Sequence, residues 1–432
     1  MVLKVREGTA RFARATWAEA LRVQAAFSLV VAVLIPAMIR YPDLELRQFG
    51  IPAVLNSIVG AACAVLLGLL LLRRVTAFPG TRAFGYILPS YASAYGIVVL
   101  AMFGLRLEYS RFYLGASFAA ALLGAYLFSL WLNRRVRRRF YVVPAGRTDF
   151  ILDIPDVEWV VMSAPTVPRE RTAAIVADLR FDHEPEWERM LAEAAVAGHS
   201  VYHTKQLRES LTGRVSIEHM SENSFGSLMP NLAYRKVKRL FDLAMTLLLI
   251  PMVALPMALI AVAIRLDSPG PALFRQTRMG YRGVPFSIFK FRTMRTRVSI
   301  EDEAEARNDA MTMTDDARIT RVGRFLRRSR LDELPQIFNV LAGQMSLIGP
   351  RPEAVPLSLW YESELPFYFY RHIVRPGLTG WAQVNQGHVS DLEAVNEKLN
   401  FDFYYIKNFS AWLDILILLR TGPTMISGFG SK

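Results

Sequence analysis

The chain has 432 residues, 52% hydrophobic and 21% charged, with 51 Lys and Arg against 38 Asp and Glu. That hydrophobic fraction excludes a disordered or low-complexity chain, and the length suits two or three domains. A net charge of +13 raises nucleic acid as a partner, but residues 1–140 hold 17 basic and 5 acidic residues while residues 141–432 hold 34 and 33. The excess sits in the most apolar third, which points to a membrane and not to DNA or RNA.

Four nearly uncharged runs, at 23–39, 51–72, 84–105 and 112–132, each approach the ~20 residues a helix needs to cross a bilayer. Four in a row exclude a cleaved signal peptide as the whole explanation. Lys4, Arg6, Arg11, Arg14 and Arg22 precede the first run, and Arg73, Arg74 and Arg82 separate the second from the third. Arg134, Arg135, Arg137, Arg138 and Arg139 follow the fourth. Against these 13 stand Arg40, Arg47, Arg106 and Arg111, so the positive-inside rule places both ends of the bundle in the cytoplasm. The spans carry no charge at mid-membrane, so residues 1–140 read as an anchor and not as a channel or pump. Asn56 reads as a polar contact between helices. The single Cys63 lies in an apolar run and supports neither a disulfide framework nor a Cys-based metal site.

Residues 141–230 turn acidic, with 8 Lys and Arg against 14 Asp and Glu. Short β-rich runs (Trp159-Val160-Val161-Met162, then Ala174-Ile175-Val176-Ala177) alternate with a helical stretch around Glu186–Ala197 that Gly198 ends, and Val201-Tyr202 follows. The pattern predicts a small parallel α/β domain. Its one candidate phosphate turn is Pro144-Ala145-Gly146, too poor in glycine for a dinucleotide site. The module reads as structural or oligomer-forming, which admits a homodimer, in preference to a ligand sensor.

A fifth run, 243–264, has 22 uncharged residues, enough to cross. Arg235, Lys236, Lys238 and Arg239 precede it, and Arg265, Arg275, Arg278 and Arg282 follow, so both ends favour the cytoplasmic face. Pro251 and Pro256 lie inside it, and proline removes a backbone donor and kinks a helix. The expectation is a broken helix that enters one leaflet and returns; an ordinary fifth span is the alternative.

Beyond it the motifs crowd together: Lys290-Phe291-Arg292-Thr293-Met294, then Arg327-Arg328-Ser329-Arg330-Leu331-Asp332-Glu333-Leu334-Pro335-Gln336. Gly349-Pro350-Arg351-Pro352-Glu353 and Arg375-Pro376-Gly377-Leu378-Thr379-Gly380-Trp381 add arginines on rigid loops. A pyrophosphate substrate calls for several fixed cations, and Arg supplies paired planar donors. Magnesium takes one or two carboxylates plus substrate phosphates. A carboxylate can also attack phosphorus and form an acyl phosphate. The adjacent Asp332 and Glu333 could divide these tasks near a helix start. The plainer alternative is a capped helix, with Ser329 and Asp332 stabilising its first turn and the arginines facing solvent or lipid.

At these residues the sequence resembles the bacterial sugar transferases, the monotopic phosphoglycosyl transferases that load a sugar-1-phosphate onto polyprenyl phosphate. The likeness covers 231–432 closely, and the layout resembles larger members with four spans and an α/β module. It implies a catalytic domain of α/β type with a re-entrant helix, on the cytoplasmic face of a bacterial inner membrane. It implies Asp332 as nucleophile toward the β-phosphate of a nucleoside-diphosphate sugar, a UDP-sugar by expectation, and Glu333 as the carboxylate associated with Mg2+, with Asp332 beside it. Undecaprenyl phosphate would accept the phospho-sugar and initiate exopolysaccharide, capsule or O-antigen synthesis. Lys290, Arg292, Arg327, Arg351 and Arg375 match basic positions near the phosphates, and Asp402 matches an acidic position without an assigned role. The family's helix break often carries Ser-Pro; here Leu255-Pro256 or Ile250-Pro251 stands at that point. Two other readings stay open: a glycosyl transferase that moves the sugar alone, and a non-catalytic assembly or sensor protein.

Overall fold

The computed structural model describes residues 20–40, 52–76, 83–135, 139–154, 157–170, 173–217, 230, 232–295, 318–386 and 391–426. Lys4, Arg6, Arg11, Arg14, Arg47, Arg82, Arg137 and Arg138, used above for orientation, lie outside these residues. The chain divides into two units, Met1–Gly213 and Arg214–Lys432.

Among the described residues of the first unit, four apolar helices come first: α1 (Leu21–Arg40), α2 (Pro52–Thr76), α3 (Ala83–Gly104) and α4 (Arg111–Arg135). Each is long and apolar enough to cross a membrane by length and composition. Small residues line their contacts: a Cβ on Gly60 would meet Met102 Cε at 2.0 Å, and one on Gly68 would meet the Tyr91 ring at 2.6 Å. Helix α1 loosens into a π-turn at Val30–Leu34, just before Pro36. Proline has no N–H to return to the carbonyl four residues back, and that carbonyl, on Ala32, accepts from Ser117 Oγ at 2.5 Å instead. Tyr113 Oη donates to the next carbonyl, on Val33, at 2.9 Å. Asn56 Nδ2 donates to the Glu108 carbonyl at 3.1 Å, joining α2 to the turn before α4.

A four-stranded parallel sheet follows, built from β1 (Arg139–Val142), β2 (Glu158–Val161), β3 (Ala174–Ala177) and β4 (Ser200–His203) in the order β2-β1-β3-β4. Helices α5 (Asp149–Leu152), α6 (Pro185–Val196) and α7 (Thr204–Thr212) cover it. Alternation assigns Ile175 and Ala177 to one face with Trp187 and Met190, and Val176 to the other with Ile151 and Leu207. Strand β1 has no counterpart in the sequence reading. It opens on Arg139, the last residue of a basic run, and that side chain pairs with Glu158 at 2.9 Å and Glu170 at 3.1 Å.

The second unit starts earlier than residue 231: Arg214 pairs with Glu397 at 2.9 Å, and Val215 N–H bonds to Asn400 O. Its first helix, α8 (Leu232–Asp267), runs 36 residues with Pro251 and Pro256 inside. Helical hydrogen bonding continues past both prolines, so the expected break is not a gap in the helix. Two missing donors leave the rest of the ladder intact, and an apolar sequence offers those bonds no competitor. Its mid-section is unusually bare, with Leu247, Leu248, Met252, Leu255 and Leu259 all at least 60% exposed.

An antiparallel hairpin, β5 (Leu273–Met279) and β6 (Pro285–Phe291), leads to α9 (Arg321–Ser329), a 3-10 segment at Leu331–Gln336, and α10 (Ile337–Leu341). Then come β7 (Ser346–Ile348), α11 (Val355–Glu364), β8 (Gly377–Thr379), α12 (Trp381–Asn385), α13 (Leu392–Lys407) and α14 (Ala411–Ile426). β7 and β8 pair in parallel. The described part of this unit is therefore mostly helical, with two small two-stranded sheets.

Candidate active site

The segment Leu331-Asp332-Glu333-Leu334-Pro335-Gln336 forms a 3-10 turn for local reasons. Pro335 cannot donate and disfavours α geometry at the residue before it. Arg330, at φ 54°, closes α9 in the left-handed region and turns the chain into it. In a 3-10 helix residues three apart eclipse each other, so Leu331 and Leu334 point the same way. Both pack against the cluster of Ile264, Ala272, Phe291 and Leu326. The two carboxylates between them are left for the polar side.

Glu333 is held by two cations. Its Oε1 accepts from Arg351 Nη2 at 2.5 Å and from Lys290 Nζ at 3.2 Å, and its Oε2 from Arg351 Nη1 at 3.2 Å. Lys290 arrives on β6, which Asn339 of α10 braces by accepting from Phe289 N–H at 3.0 Å and donating to Ser287 O at 2.7 Å. Arg351 arrives on the loop after β7. Among the described residues no hydrogen bond or ion pair reaches the Asp332 carboxylate.

The dyad is therefore electrostatically split. Burial pushes the Asp332 carboxyl up to about 6, the Glu333 charge adds to the push, and Lys290, Arg351 and Arg327 oppose it. Burial acts on Glu333 too, but Arg351 and Lys290 outweigh it and hold that carboxyl well below the usual carboxylate range. Burial also lowers the Lys290 ammonium, against the attraction of Glu333.

The structure thus brings Asp332, Glu333, Lys290 and Arg351 together. Arg327, on α9, lies near enough for its charge to act on Asp332, and its buried Nη1 has no hydrogen-bond partner among the described residues. Arg292 goes elsewhere: its Nη1 donates to Pro269 O and its Nη2 to Ser268 O, both at 2.7 Å, fastening the turn that leaves α8. Arg375 donates to Gly343 O at 2.9 Å, lies over the Tyr281 ring, and lines a pocket with Arg235, Lys238, Arg239 and Asp242. Asp402 is buried against Arg371 at 2.8 Å. Pro251 and Pro256 remain within α8. Sequence reasoning missed Asn339, Arg371 and Arg278. The contacts that tie them to the site reach across 20 to 74 residues, as with Arg371 to Arg351 O, Asn339 to Ser287 O and Arg278 to Pro352 O, so no local pattern marks that role.

For a metal, the donor set is two adjacent carboxylates, and among the described residues no group of three or more His, Cys, Asp or Glu could hold an ion. Hard oxygens in so small a number suit Mg2+ shared with substrate phosphates. Glu333 Oε2 accepts one bond and keeps lone-pair capacity, so the residues fit such an ion.

A buried carboxylate pair met by Lys290 and Arg351, packed beside a long apolar helix, suits the handling of phosphate groups. Residues 233–428 match the sequence profile described as bacterial sugar transferase. The chain is 42% identical over 405 residues, 93% of its length, to the UDP-N-acetylgalactosamine-undecaprenyl-phosphate N-acetylgalactosaminephosphotransferase of Aeromonas hydrophila, covering 94% of that protein. Over 204 residues, 47% of the chain, it is 44% identical to the UDP-glucose:undecaprenyl-phosphate glucose-1-phosphate transferase of Caulobacter vibrioides, covering 74% of it. A protein of the same name from Escherichia coli is 41% identical over 200 residues, 46% of this chain and 41% of the relative. The chain belongs to the bacterial sugar transferase family.

Proposed function

We propose that the protein transfers a sugar-1-phosphate from a UDP-sugar to undecaprenyl phosphate through an aspartyl intermediate, initiating exopolysaccharide, capsule or O-antigen synthesis. The observation that carries this is the asymmetry of the dyad: Glu333 is clamped by Lys290 and Arg351, while no described residue pairs with the Asp332 carboxylate, whose proton affinity burial raises. An Asp332 oxygen attacks the β-phosphorus of the donor. The bond from that phosphorus to the bridging oxygen breaks, and UMP leaves with the electron pair. An oxygen of undecaprenyl phosphate then attacks the same phosphorus and returns the Asp332 carboxylate. Lys290, Arg351 and Arg327 supply fixed positive charge where phosphate charge accumulates. Glu333 and Asp332 would hold Mg2+, which supplies charge neutralisation at the phosphates. The names of the relatives support the UDP-sugar and lipid substrates.

The same proposal assigns residues 1–140 as a four-helix anchor, 141–230 as a cytoplasmic module whose end, from Arg214, packs with the second unit, and 231–432 as the catalytic domain. It places the active site at the cytoplasmic face of a bacterial inner membrane, with α8 bending at Pro251 and Pro256 so that it enters the bilayer and returns. Both ends of α8 are tied into the same unit: Arg239 to Val340 O at 2.7 Å and Asp242 to Leu347 N–H at 3.2 Å near one end, Asp267 to Val322 N–H at 3.2 Å at the other. A crossing helix would carry those groups to opposite sides of a ~30 Å core.

The leaving nucleotide tests the reaction. A panel of UDP-sugars, including N-acetylgalactosamine and glucose donors, incubated with purified protein and undecaprenyl phosphate should release UMP. Release of UDP would instead mean transfer of the sugar alone, and no release from any donor would favour an assembly role.

A further inference from the structure

Helix α13 presents Lys398, Asp402 and Tyr405 at i, i+4 and i+7, a single helical face. Each acts on a different part of the loop that carries Arg351. Tyr405 Oη lies 3.1 Å from Ile348 O, at the end of β7 where that loop begins, and 2.9 Å from Asp414 Oδ1, and shares its one proton between them. Asp402 Oδ2 accepts from Arg371 Nε at 3.1 Å and Nη2 at 2.8 Å, and the same Nη2 donates to the Arg351 carbonyl at 2.9 Å. Lys398 Nζ pairs with the Glu353 carboxylate, which also lies 4.0 Å from Arg371 Nη1.

Stability alone is a poor account of this arrangement. Arg371 and Asp402 are 3% and 1% exposed, and a buried ion pair barely recovers its desolvation cost. What the pair does achieve is a fixed donor under the backbone of Arg351. That matters because the Arg351 side chain is long and 30% exposed, yet it must meet Glu333 in one geometry.

We propose that this face of α13 is a positioning device for the dyad. Asp402, through Arg371, and Lys398, through Glu353, fix residues 351–353 so that the Arg351 guanidinium engages Glu333 and leaves Asp332 open to phosphorus. They are positioning residues and touch none of the reacting atoms. The inference rests on the assignment of the dyad given above.

The test compares full-length purified Asp402→Asn, Lys398→Met and the paired Arg371→Met with Asp402→Leu, each alone and in an Arg351→Lys background. The paired variant removes both buried charges together, a change that buried ion pairs tolerate, so it decides the matter if Asp402→Asn strands Arg371 and does not fold. The kcat for UMP release should fall about 10- to 100-fold with the donor KM changed less than about threefold. In the Arg351→Lys background the further loss should shrink to less than about twofold, because the group being positioned is already altered. Full multiplicative losses in that background, or an unchanged kcat in the folded variants, would overturn the proposal. Asp332→Asn is assayed alongside. If it is inactive while the α13 variants behave as wild type, only the positioning role falls; if it turns over normally, the dyad assignment itself falls.

Discussion

Asp332 and Glu333 are neighbouring carboxyls shifted in opposite directions, and the difference comes from partners and not from residue type. Burial and the adjacent Glu333 charge raise Asp332 to about 6, while Arg351 and Lys290 overcome burial at Glu333. In the proposed mechanism Asp332 attacks as the carboxylate, so kcat/KM should be sustained above about pH 6 and fall about tenfold per unit below it. Lys290→Met removes a charge that lowers Asp332, so this acid limb should move to higher pH; a pH–rate profile of UMP release shows whether it does. Burial and the Arg371 charge push His372 down to about 3, so it stays neutral across this range and cannot supply the limb.

Among the elements, α8 and α14 meet through Asp414. Its Oδ2 accepts from Tyr234 Oη at 2.5 Å and Lys238 Nζ at 2.6 Å, and its Oδ1 from Tyr405 Oη at 2.9 Å. Asp414→Ala strands a buried lysine and should cost about 3–5 kcal/mol, visible as a lowered unfolding midpoint in detergent. At the β7–β8 pair, a Cβ on Gly377 would meet Gly349 N at 2.0 Å and Ile348 C at 2.6 Å. Backbone atoms cannot swing aside, so Gly377→Ala should separate these strands and leave little folded enzyme, measured as soluble monodisperse yield. The same scale shows what the sequence could and could not reveal. Strands β2 to β4 and α6 were legible because apolar runs and acidic helical stretches alternate there. β1 was hidden because Arg139 continues a basic run. Lys290 on β6, the dyad in its 3-10 turn and Arg351 on the loop after β7 were legible as short charged motifs, whereas Arg292 belongs to an equally charged motif yet serves a turn. What holds Arg351 in place depends on contacts made only after folding.

At the scale of the whole molecule, the basic surplus lies in two stretches: residues 1–140, and residues 231–300 with 12 Lys and Arg against 2 Asp and Glu. The first borders the apolar helices and the second flanks α8, which is the distribution expected where cations stay on the cytoplasmic side. Topology can be read by labelling. Val284, 64% exposed in the turn between β5 and β6, becomes the probe as Val284→Cys in a Cys63→Ala background. An impermeant reagent should reach it in inverted vesicles and not in intact cells. Labelling from the periplasmic side would make α8 a fifth span.

The central claim, that Asp332 carries the phospho-sugar, has a direct measurement. Purified protein is mixed with the UDP-sugar it uses, without lipid acceptor, then acid-quenched, digested and analysed by mass spectrometry. The peptide containing Asp332 should gain the mass of a sugar phosphate as about one UMP per chain is released, and Asp332→Asn should show neither. An unmodified Asp332 peptide accompanied by release of UDP would contradict the account.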